Sequence, residues 1–322
     1  MKTEVSSPVG WGLPHQKSPG GASPTLPLPT SHSRYAYFPG CSAESTAQDM
    51  HQSTLAVAQS LGMQLVEPKG WTCCGATAGH QTDRLLAVAL PAATLVKVQD
   101  LGLDLVVNCA ACYNRMKVAN HEIAGNRQVR AQVAEAIGRD YDGSVKVRHL
   151  LEVLLDGVGT ETIQKALRRS LAGLKVASYY GCLLVRPREV TGFDDPENPS
   201  SLDRLVAAMG GTPLEWPHKV ECGGGGGLSM SRTDVVVNLT DTIVGMAKLA
   251  GADCIAVSCP MCQINLDMRQ LDIARSKGNR YDLPVLYITQ LLGLCLGVPA
   301  QKLGLNKLMI SPARVVQAVV AA

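Results

Sequence analysis

Nine cysteines of this chain fall into two regularly spaced groups. The first group is Cys41, the adjacent pair Cys73 and Cys74, and the Cys-Ala-Ala-Cys segment of Cys109 and Cys112. The second group is Cys182, Cys222, and the Cys-Pro-Met-Cys segment of Cys259 and Cys262. Thiolates are ligands for zinc and iron–sulfur centres and the reactive groups of thiol redox chemistry. The spacing therefore predicts a metal or redox site in each half.

The number of thiols favours iron over zinc in the first group. Four ligands close a structural zinc site, whereas an iron–sulfur assembly distributes additional thiolates over several irons. The adjacent Cys73 and Cys74 are poorly disposed to form a disulfide with each other, because that ring is strained. An isolated C-x-x-C is weak support for any site, but the duplicated arrangement is strong.

Composition narrows the class of protein. The chain has 322 residues, of which 46% are hydrophobic, so it can bury a large core. A formal charge of +3 without a basic block argues against nucleic acid or an anionic membrane as a partner. We see neither a signal peptide nor an 18-residue apolar run, which predicts a soluble, cytoplasmic protein without membrane insertion. Eleven cysteines in that compartment indicate metal or redox chemistry and argue against structural disulfides.

Strand-like segments lead directly into several of these cysteines. A run over residues 35–38 ends at a Pro-Gly-Cys turn, and a buried strand over 103–108 runs into Cys109, followed by a helix from about Ala111. Between them, helical periodicity from Ala47 to Leu61 ends at Gly62, a favoured helix C-cap residue. The cysteines are thus predicted at the carboxyl ends of strands, where α/β sheets collect ligands.

Four landmarks of the first half return in the same order in the second half. They are YFPGC and SYYGC, the two cysteine motifs near residues 73 and 222, LDLVVNCAAC and DCIAVSCPMC, and the apolar runs after residues 147 and 285. This internal repeat predicts an α/β fold of two pseudo-symmetric units with mainly parallel sheets and iron–sulfur sites at strand ends. We predict a flexible Pro/Ser/Gly-rich tail at residues 1–34, a first cysteine-rich domain at 35–165 and a second at 166–322.

With these motifs the chain resembles the tandem cysteine-rich, or CCG, domains of the B subunit of heterodisulfide reductase and its relatives, over about residues 35–300. The first copy matches the family pattern in full. By resemblance, Cys41, Cys73, Cys74, Cys109 and Cys112 would bind a non-cubane 4Fe-4S cluster and carry catalysis through it. In that family two such clusters split a disulfide between their irons.

The second copy departs from the family pattern by one cysteine. Either Glu221 replaces the first member of the Cys-Cys pair or Gly223 replaces the second, and both alignments keep acceptable spacing. Four thiols remain, Cys182, Cys222, Cys259 and Cys262, with Glu221 as a possible oxygen ligand. We expect a cubane 4Fe-4S or smaller cluster here, which puts two-centre cleavage of a classical heterodisulfide in doubt.

The resemblance implies an oxidoreductase acting on sulfur groups, as a subunit of a bacterial heterodisulfide reductase-like complex in sulfur oxidation. Its implied partners are a flavin-bearing A-like subunit, a ferredoxin-like C-type subunit and a lipoyl-carrying protein as sulfur donor. The alternative is an electron-relay subunit of a flavin-linked 2-hydroxy-acid or glycerol-3-phosphate dehydrogenase. A zinc-stabilised scaffold is the third hypothesis, which the five ligands of the first half disfavour.

The remaining candidate residues have weaker support from the sequence. Cys254 and Cys295 lie inside apolar runs and are predicted to be core residues. His80 and His218 flank the two cysteine motifs, and each fits either proton donation to a leaving thiolate or a loop cap. Lys219, Arg115 and Arg186 fit either neutralisation of cluster charge or solvated surface positions.

Overall fold

The computed structural model describes residues 34–322. The tail predicted at 1–34 lies outside the described residues except for Arg34, which begins the first strand. No helix in the described part of the chain has both the length and the apolar character needed to cross a membrane.

The first unit contains four strands and seven helices. Its strands are β1 (Arg34–Phe38), β2 (Gln64–Val66), β3 (Leu105–Val107) and β4 (Val147–His149). Its helices are α1 (Gln48–Ser60), α2 (Gly79–Thr82), α3 (Arg84–Leu101), α4 (Ala110–Gly125), α5 (Arg127–Ile137), α6 (Leu150–Glu152) and α7 (Thr160–Ala166). A 3-10 turn at Cys41–Glu44 follows β1, and a π-helical segment at Val153–Gly159 continues α6.

The second unit repeats this series, with two helices before β6 where the first unit has one before β2. Its strands are β5 (Lys175–Tyr179), β6 (Thr212–Pro213), β7 (Cys254–Val257) and β8 (Val285–Tyr287). Its helices are α8 (Arg188–Thr191), α9 (Ser201–Ala208), α10 (Leu228–Ser231), α11 (Thr233–Leu249), α12 (Pro260–Lys277), α13 (Ile288–Cys295) and α14 (Ala313–Ala321). Two 3-10 turns, Ala300–Leu303 and Leu305–Lys307, connect α13 to α14.

Each unit is built on one four-stranded, all-parallel sheet. The strand order is β2-β1-β3-β4 in the first sheet and β6-β5-β7-β8 in the second, so the two topologies are the same. Register agrees as well, since Val107 pairs with His149 at the end of β3 and Val257 pairs with Tyr287 at the end of β7. The prediction of two pseudo-symmetric α/β units with parallel sheets is confirmed. The division at residues 165 and 166 stays a prediction, with α7 ending at Ala166 and β5 beginning at Lys175.

Local sequence explains where the main helices begin and end. Gly62 adopts a left-handed φ of 69° just beyond α1, as its predicted capping role requires. The Asp83 side chain accepts a hydrogen bond from the Leu86 N–H and so caps α3, which ends at the left-handed Gly102. The β-branched and leucine residues of β3 and β7 are buried on both faces, as parallel strands between helix layers are.

The two units pack through the first helix of one and the last part of the other. Helix α1 lies against α13, where the Ser53 and Thr289 hydroxyls are 2.7 Å apart and Gln290 donates to Asp49. Helix α9 makes the reciprocal contact with α6 and α7. One apolar core, which includes Leu95, Leu151, Leu205 and Leu291, runs through both units. Because residues of both units are buried in this shared core, the core holds the two sheets in their relative placement.

Candidate metal centre

Six of the nine cysteines follow the carboxyl ends of the two central strands in each sheet, and Cys73, Cys74 and Cys222 lie in the loops after the edge strands β2 and β6. Cys41 begins the turn after β1, and Cys182 is the third residue after the end of β5. Cys109 and Cys259 directly precede α4 and α12 as their N-cap residues. Since parallel strands end at the same sheet edge, residues far apart in sequence meet there, as predicted.

In the first group five thiols lie close together. The Sγ atoms of Cys74 and Cys112 are 3.1 Å apart and those of Cys41 and Cys73 are 4.0 Å apart. Cys41 and Cys73 are exposed, while Cys74, Cys109 and Cys112 are buried. The structure thus brings together every thiol that the first motif predicts, with one side of the group open to solvent.

The second group assembles in the same way from four thiols. The pKa of Cys222 falls to about 6, chiefly because the Cys182 thiol donates a hydrogen bond to it; burial opposes this fall and the Gly224 and Gly225 N–H groups assist it. Cys259 and Cys262, one helical turn apart at the start of α12, also interact. All four predicted thiols of this half are therefore neighbours.

The two groups meet in the centre of the molecule. The pKa of Cys259 is held well below its usual range mainly by a hydrogen bond from the Cys109 thiol of the other unit, and secondarily by Cys262. Cys109 also contacts Cys112, which ties this junction to the first group. The nine thiols consequently form one continuous zone between the two sheets.

Backbone geometry shows how the cysteine motif of the second half aligns with that of the first half. Gly75 and Gly224 have φ values of 73° and 75°, and their N–H groups lie 3.5 Å from Sγ of Cys73 and 3.4 Å from Sγ of Cys222. Helices α2 and α10 begin at residues 79 and 228, an offset (228 − 79) of 149 that also separates residues 73 and 222. Cys222 therefore corresponds to Cys73, and Gly223 stands where the first half has Cys74.

This register answers the question that spacing left open. Glu221 does not replace the first cysteine of the pair; its side chain is exposed and its backbone carbonyl accepts a hydrogen bond from the Tyr179 hydroxyl at 2.7 Å. Glu221 as an oxygen ligand stays a prediction.

A cavity of about 250 Å³ opens onto the second group. All four second-half cysteines line it, beside the apolar side chains of Leu183, Leu228 and Met261. From the first unit come Ala110, Ala111 and the 76–81 segment with His80. The first-group cysteines are not among its lining residues. A cluster held by the second group would thus lie in a cavity that both units enclose.

The donor sets fit iron–sulfur clusters better than single ions. Among residues 34–322, no three His, Cys, Asp or Glu side chains gather closely enough to hold one mononuclear ion. The glycines that directly precede Cys41 and Cys182 leave room for a thiol of the same group. An added Cβ at Gly40 would lie 3.3 Å from Cys112 Sγ, and one at Gly181 would lie 2.9 Å from Cys262 Sγ. All nine predicted ligands are thiols, the ligand type of iron–sulfur clusters, and the first half offers five where a structural zinc site takes four, so the residues present fit that group.

Two of the three basic candidate residues, Lys219 and Arg186, form ion pairs with carboxylates of the protein. The Lys219 ammonium is buried and pairs with Asp203 at 3.0 Å and Glu215 at 3.3 Å. Arg186 contacts Glu197 at 2.9 Å and the Val220 carbonyl at 3.3 Å. Arg115 is half-buried, and its interaction with Cys74 partly offsets the burial that lowers its pKa. Of these three, Arg115 alone is placed to meet cluster charge.

Of the two candidate histidines, His80 lies at the cavity and His218 does not. His80 lies on the cavity wall with Nδ1 3.4 Å from the Gly75 carbonyl oxygen. His218 adopts a left-handed φ of 69° in the loop before Cys222 and does not line the cavity. The expected core cysteines, Cys254 and Cys295, are both fully buried.

Three polar residues near the site were missed by the sequence reasoning. Tyr179 lines the cavity, and Asn265 donates to the Gly223 carbonyl at 2.8 Å. His149 is fully buried at the end of β4; its Nδ1 accepts from the Leu151 N–H, and burial lowers its pKa to about 4. A useful signal was the repeat itself, since it places Tyr179 and His149 at strand ends.

Comparison with known proteins agrees with this site. The family model for the cysteine-rich domain CCG matches residues 35–117 and 176–267. The membrane anchor subunit of 8-methylmenaquinol:fumarate reductase from Wolinella succinogenes is 32% identical over 84% of this chain and 95% of its own length. The B subunit of the ferredoxin/F420H2-dependent CoB-CoM heterodisulfide reductase from Methanosarcina acetivorans is 30% identical over 85% of this chain and 93% of its own length.

A solved structure shows the same fold. A hypothetical protein from Helicobacter pylori superposes with a TM-score of 0.69 at 12% identity, over 88% of this chain and 53% of that one. At this identity the likeness concerns the fold alone.

The repeated fold and its cysteine motifs define a protein with two cysteine-rich domains. The chain belongs to the CCG family, with two copies of the domain, and is related to the B subunit of heterodisulfide reductase. The resemblance drawn from the motifs is confirmed.

Proposed function

We propose that this chain is the iron–sulfur electron-transfer subunit of a heterodisulfide reductase-like oxidoreductase complex. In this proposal it acts in the cytoplasm on disulfide or persulfide sulfur, as part of sulfur oxidation. The observation that carries it is the continuous zone of nine thiols, joined at Cys109 and Cys259, beside a cavity large enough for a small substrate.

Each half has its own ligand set in this proposal. The five thiols of the first group would hold a non-cubane 4Fe-4S cluster, and the four of the second group a cubane 4Fe-4S or smaller cluster. When bound, such clusters would supply electron transfer and a binding place for substrate sulfur. The N–H groups of Gly75 and Gly224, aimed at Cys73 and Cys222, stabilise the thiolate form of those ligands.

The cavity determines how a substrate could approach. Leu183 and Met261 contribute apolar side chains to its wall, and the His80 imidazole on the same wall is the candidate proton donor or acceptor. Reduction of a disulfide consumes two electrons and two protons and releases two thiols. Oxidation of persulfide sulfur releases electrons, which the proposed partner subunits would accept. Because the second group lines this cavity, we propose that substrate enters from its side, and the first group supports the chemistry across the Cys109–Cys259 junction.

The proposed partners complete the electron path. A flavin-bearing A-like subunit and a ferredoxin-like C-type subunit would exchange electrons with this chain, and a lipoyl-carrying protein would deliver sulfur. The relatives from Methanosarcina are named as subunits of ferredoxin-dependent heterodisulfide reductases, which supports a multi-subunit assembly. Cys41 and Cys73 are the exposed members of the first group, so electrons could enter there.

A second candidate function is electron relay without sulfur chemistry. The 32% identity to a subunit of a quinol:fumarate reductase favours it. In that case the same clusters would pass electrons between partners, and the cavity would hold no sulfur substrate during turnover.

Electron paramagnetic resonance of the full chain separates the two candidates. The protein is purified without oxygen and treated with a small organic disulfide or with cysteine persulfide. We expect the cluster spectrum to change on addition and the change to be lost in Cys222→Ser, whose thiol lines the cavity, but kept in the matched variant Cys254→Ser, whose thiol lies in the core. A spectrum that no sulfur compound alters, with clusters intact, would support the relay function instead.

A further inference from the structure

The place of the missing cysteine in the second half contains a hydroxyl group. If Gly223 carried a Cβ, that atom would lie 3.2 Å from the Tyr179 hydroxyl oxygen, closer than most real Cβ contacts. The hydroxyl is held there because it donates a hydrogen bond of 2.7 Å to the Glu221 carbonyl. A cysteine at position 223 would therefore meet Tyr179 before its sulfur could reach a metal.

The first half lacks this obstruction. Tyr179 is the last residue of β5, and the last residue of β1 is Phe38, which has no hydroxyl. The Phe38 ring packs edge-on against Trp71 with centroids 5.2 Å apart. The two halves thus differ by a matched pair: Phe38 with Cys74 in the first, and Tyr179 with Gly223 in the second.

The glycine itself is fixed in position. Asn265 is buried, donates to the Gly223 carbonyl at 2.8 Å, and is itself within 2.8 Å of the Ser229 hydroxyl. The next residue, Gly224, has a left-handed φ of 75° and would place a Cβ 2.8 Å from Val236. The loop cannot easily shift by one residue to present another ligand, so the ligand set of this half is settled by residues 179 and 223.

We infer that Tyr179 and Gly223 together are the specificity-determining pair that makes the second half a four-thiolate site. The phenol takes the space that the fifth thiolate occupies in the first half, so the second half accepts a cluster with four thiolate ligands and rejects the five-thiolate assembly. This inference rests on the proposed function, since it presumes that each half holds an iron–sulfur cluster.

The test converts one kind of site into the other in the full chain. Three variants are compared: Gly223→Cys, Tyr179→Phe, and the double variant. The double variant restores both features of the first half, and we expect about a twofold increase in the integrated paramagnetic resonance signal of the five-thiolate cluster. Gly223→Cys alone should give no increase, because the hydroxyl still stands in the way. Tyr179→Phe alone should keep the wild-type clusters, since it adds no ligand.

The mirror variant supplies a matched control. Phe38→Tyr with Cys74→Gly should remove the five-thiolate signal and leave a second four-thiolate cluster, with iron still bound in both halves. Far-ultraviolet circular dichroism checks that each variant is folded. A folded Tyr179→Phe/Gly223→Cys variant with the wild-type signal intensity would overturn the inference, as would an equal increase in Gly223→Cys alone. Absence of iron from the wild-type protein would instead overturn the proposed function, so the two failures are distinguishable.

Discussion

Adding one methyl group beside a ligand offers a sharp test of the site geometry. Gly181 has a left-handed φ of 66°, and a Cβ there would lie 2.9 Å from Cys262 Sγ. Gly181→Ala therefore has two effects: it strains the backbone and it displaces a thiol that we assign to the second cluster. A suitable control has the same strain without the contact. Gly62 has a φ of 69°, and an added Cβ there would meet nothing within 4 Å.

The backbone effect should be similar in both variants. Placing an L-residue in the left-handed region costs about 1–2 kcal/mol, so Gly62→Ala and Gly181→Ala should each lower the free energy of unfolding by about that amount. The contact with Cys262 sulfur adds a local effect in Gly181→Ala only. We expect that variant to lose iron from the second half, while Gly62→Ala retains the wild-type ratio of iron to protein.

Two measurements decide the matter. Chemical denaturation followed by circular dichroism gives the stability of each variant, and iron analysis on anaerobically purified protein gives the cluster content. Equal iron in Gly181→Ala and Gly62→Ala, with both destabilised alike, would refute the argument that Cys262 is a ligand held against Gly181.

The remaining predictions concern the supporting structure. Lys219→Met leaves the Asp203 carboxylate buried without its partner and should cost about 3–5 kcal/mol in urea unfolding, with most of this recovered when Asp203→Leu is added; full stability of the single variant would contradict it. Burial raises the pKa of Asp267 to about 6 from 3.8, so the native state binds more protons and stability should fall as pH rises between these values. The fall attributable to Asp267 is about 3 kcal/mol, and Asp267→Asn should flatten the stability profile over pH 4–6; an unchanged profile would count against this. Cys254→Ala should lower stability but leave iron content at the wild-type ratio, because this thiol is enclosed in β7; loss of iron would contradict its core role.

Much of the fold could be predicted because its strands and helices have strong local sequence patterns. The apolar run before Cys109 is β3, shortened to Leu105–Val107, and the helix expected from about Ala111 begins at Ala110. The periodicity before Gly62 is α1. Strand and helix patterns this clear, present in both halves of the chain, favour a single interpretation of the fold.

The register of the second motif could not be predicted, and the structure shows why. Offsets between the halves drift along the chain, from 141 between Cys41 and Cys182 to 150 between Cys109 and Cys259, because loops and helices differ in length. Most of the change falls between the first and second strands of each unit, where the first half has the 13-residue α1 and the second half has α8, a loop and α9 over residues 188–208. Backbone features identify Gly223 as the counterpart of Cys74: the left-handed Gly224, its N–H directed at Cys222, and the matching starts of α2 and α10.

The meeting of the two cysteine groups is likewise a property of tertiary packing. Cys109 and Cys259 each follow a strand in a different sheet, and the packing of α1 on α13 and of α9 on α6 and α7 sets how those sheets face each other. The contact between Asp49 and Gln290 joins residues that local sequence patterns cannot relate.

The most direct test of the central claim is the iron and acid-labile sulfide content of the full chain, purified without oxygen. A 4Fe-4S cluster on each group predicts about eight iron and eight sulfide per chain, and a smaller second cluster predicts fewer; in either case the first-group share is lost in Cys73→Ser. Stoichiometric zinc without labile sulfide would contradict the account and leave a zinc-stabilised scaffold in its place.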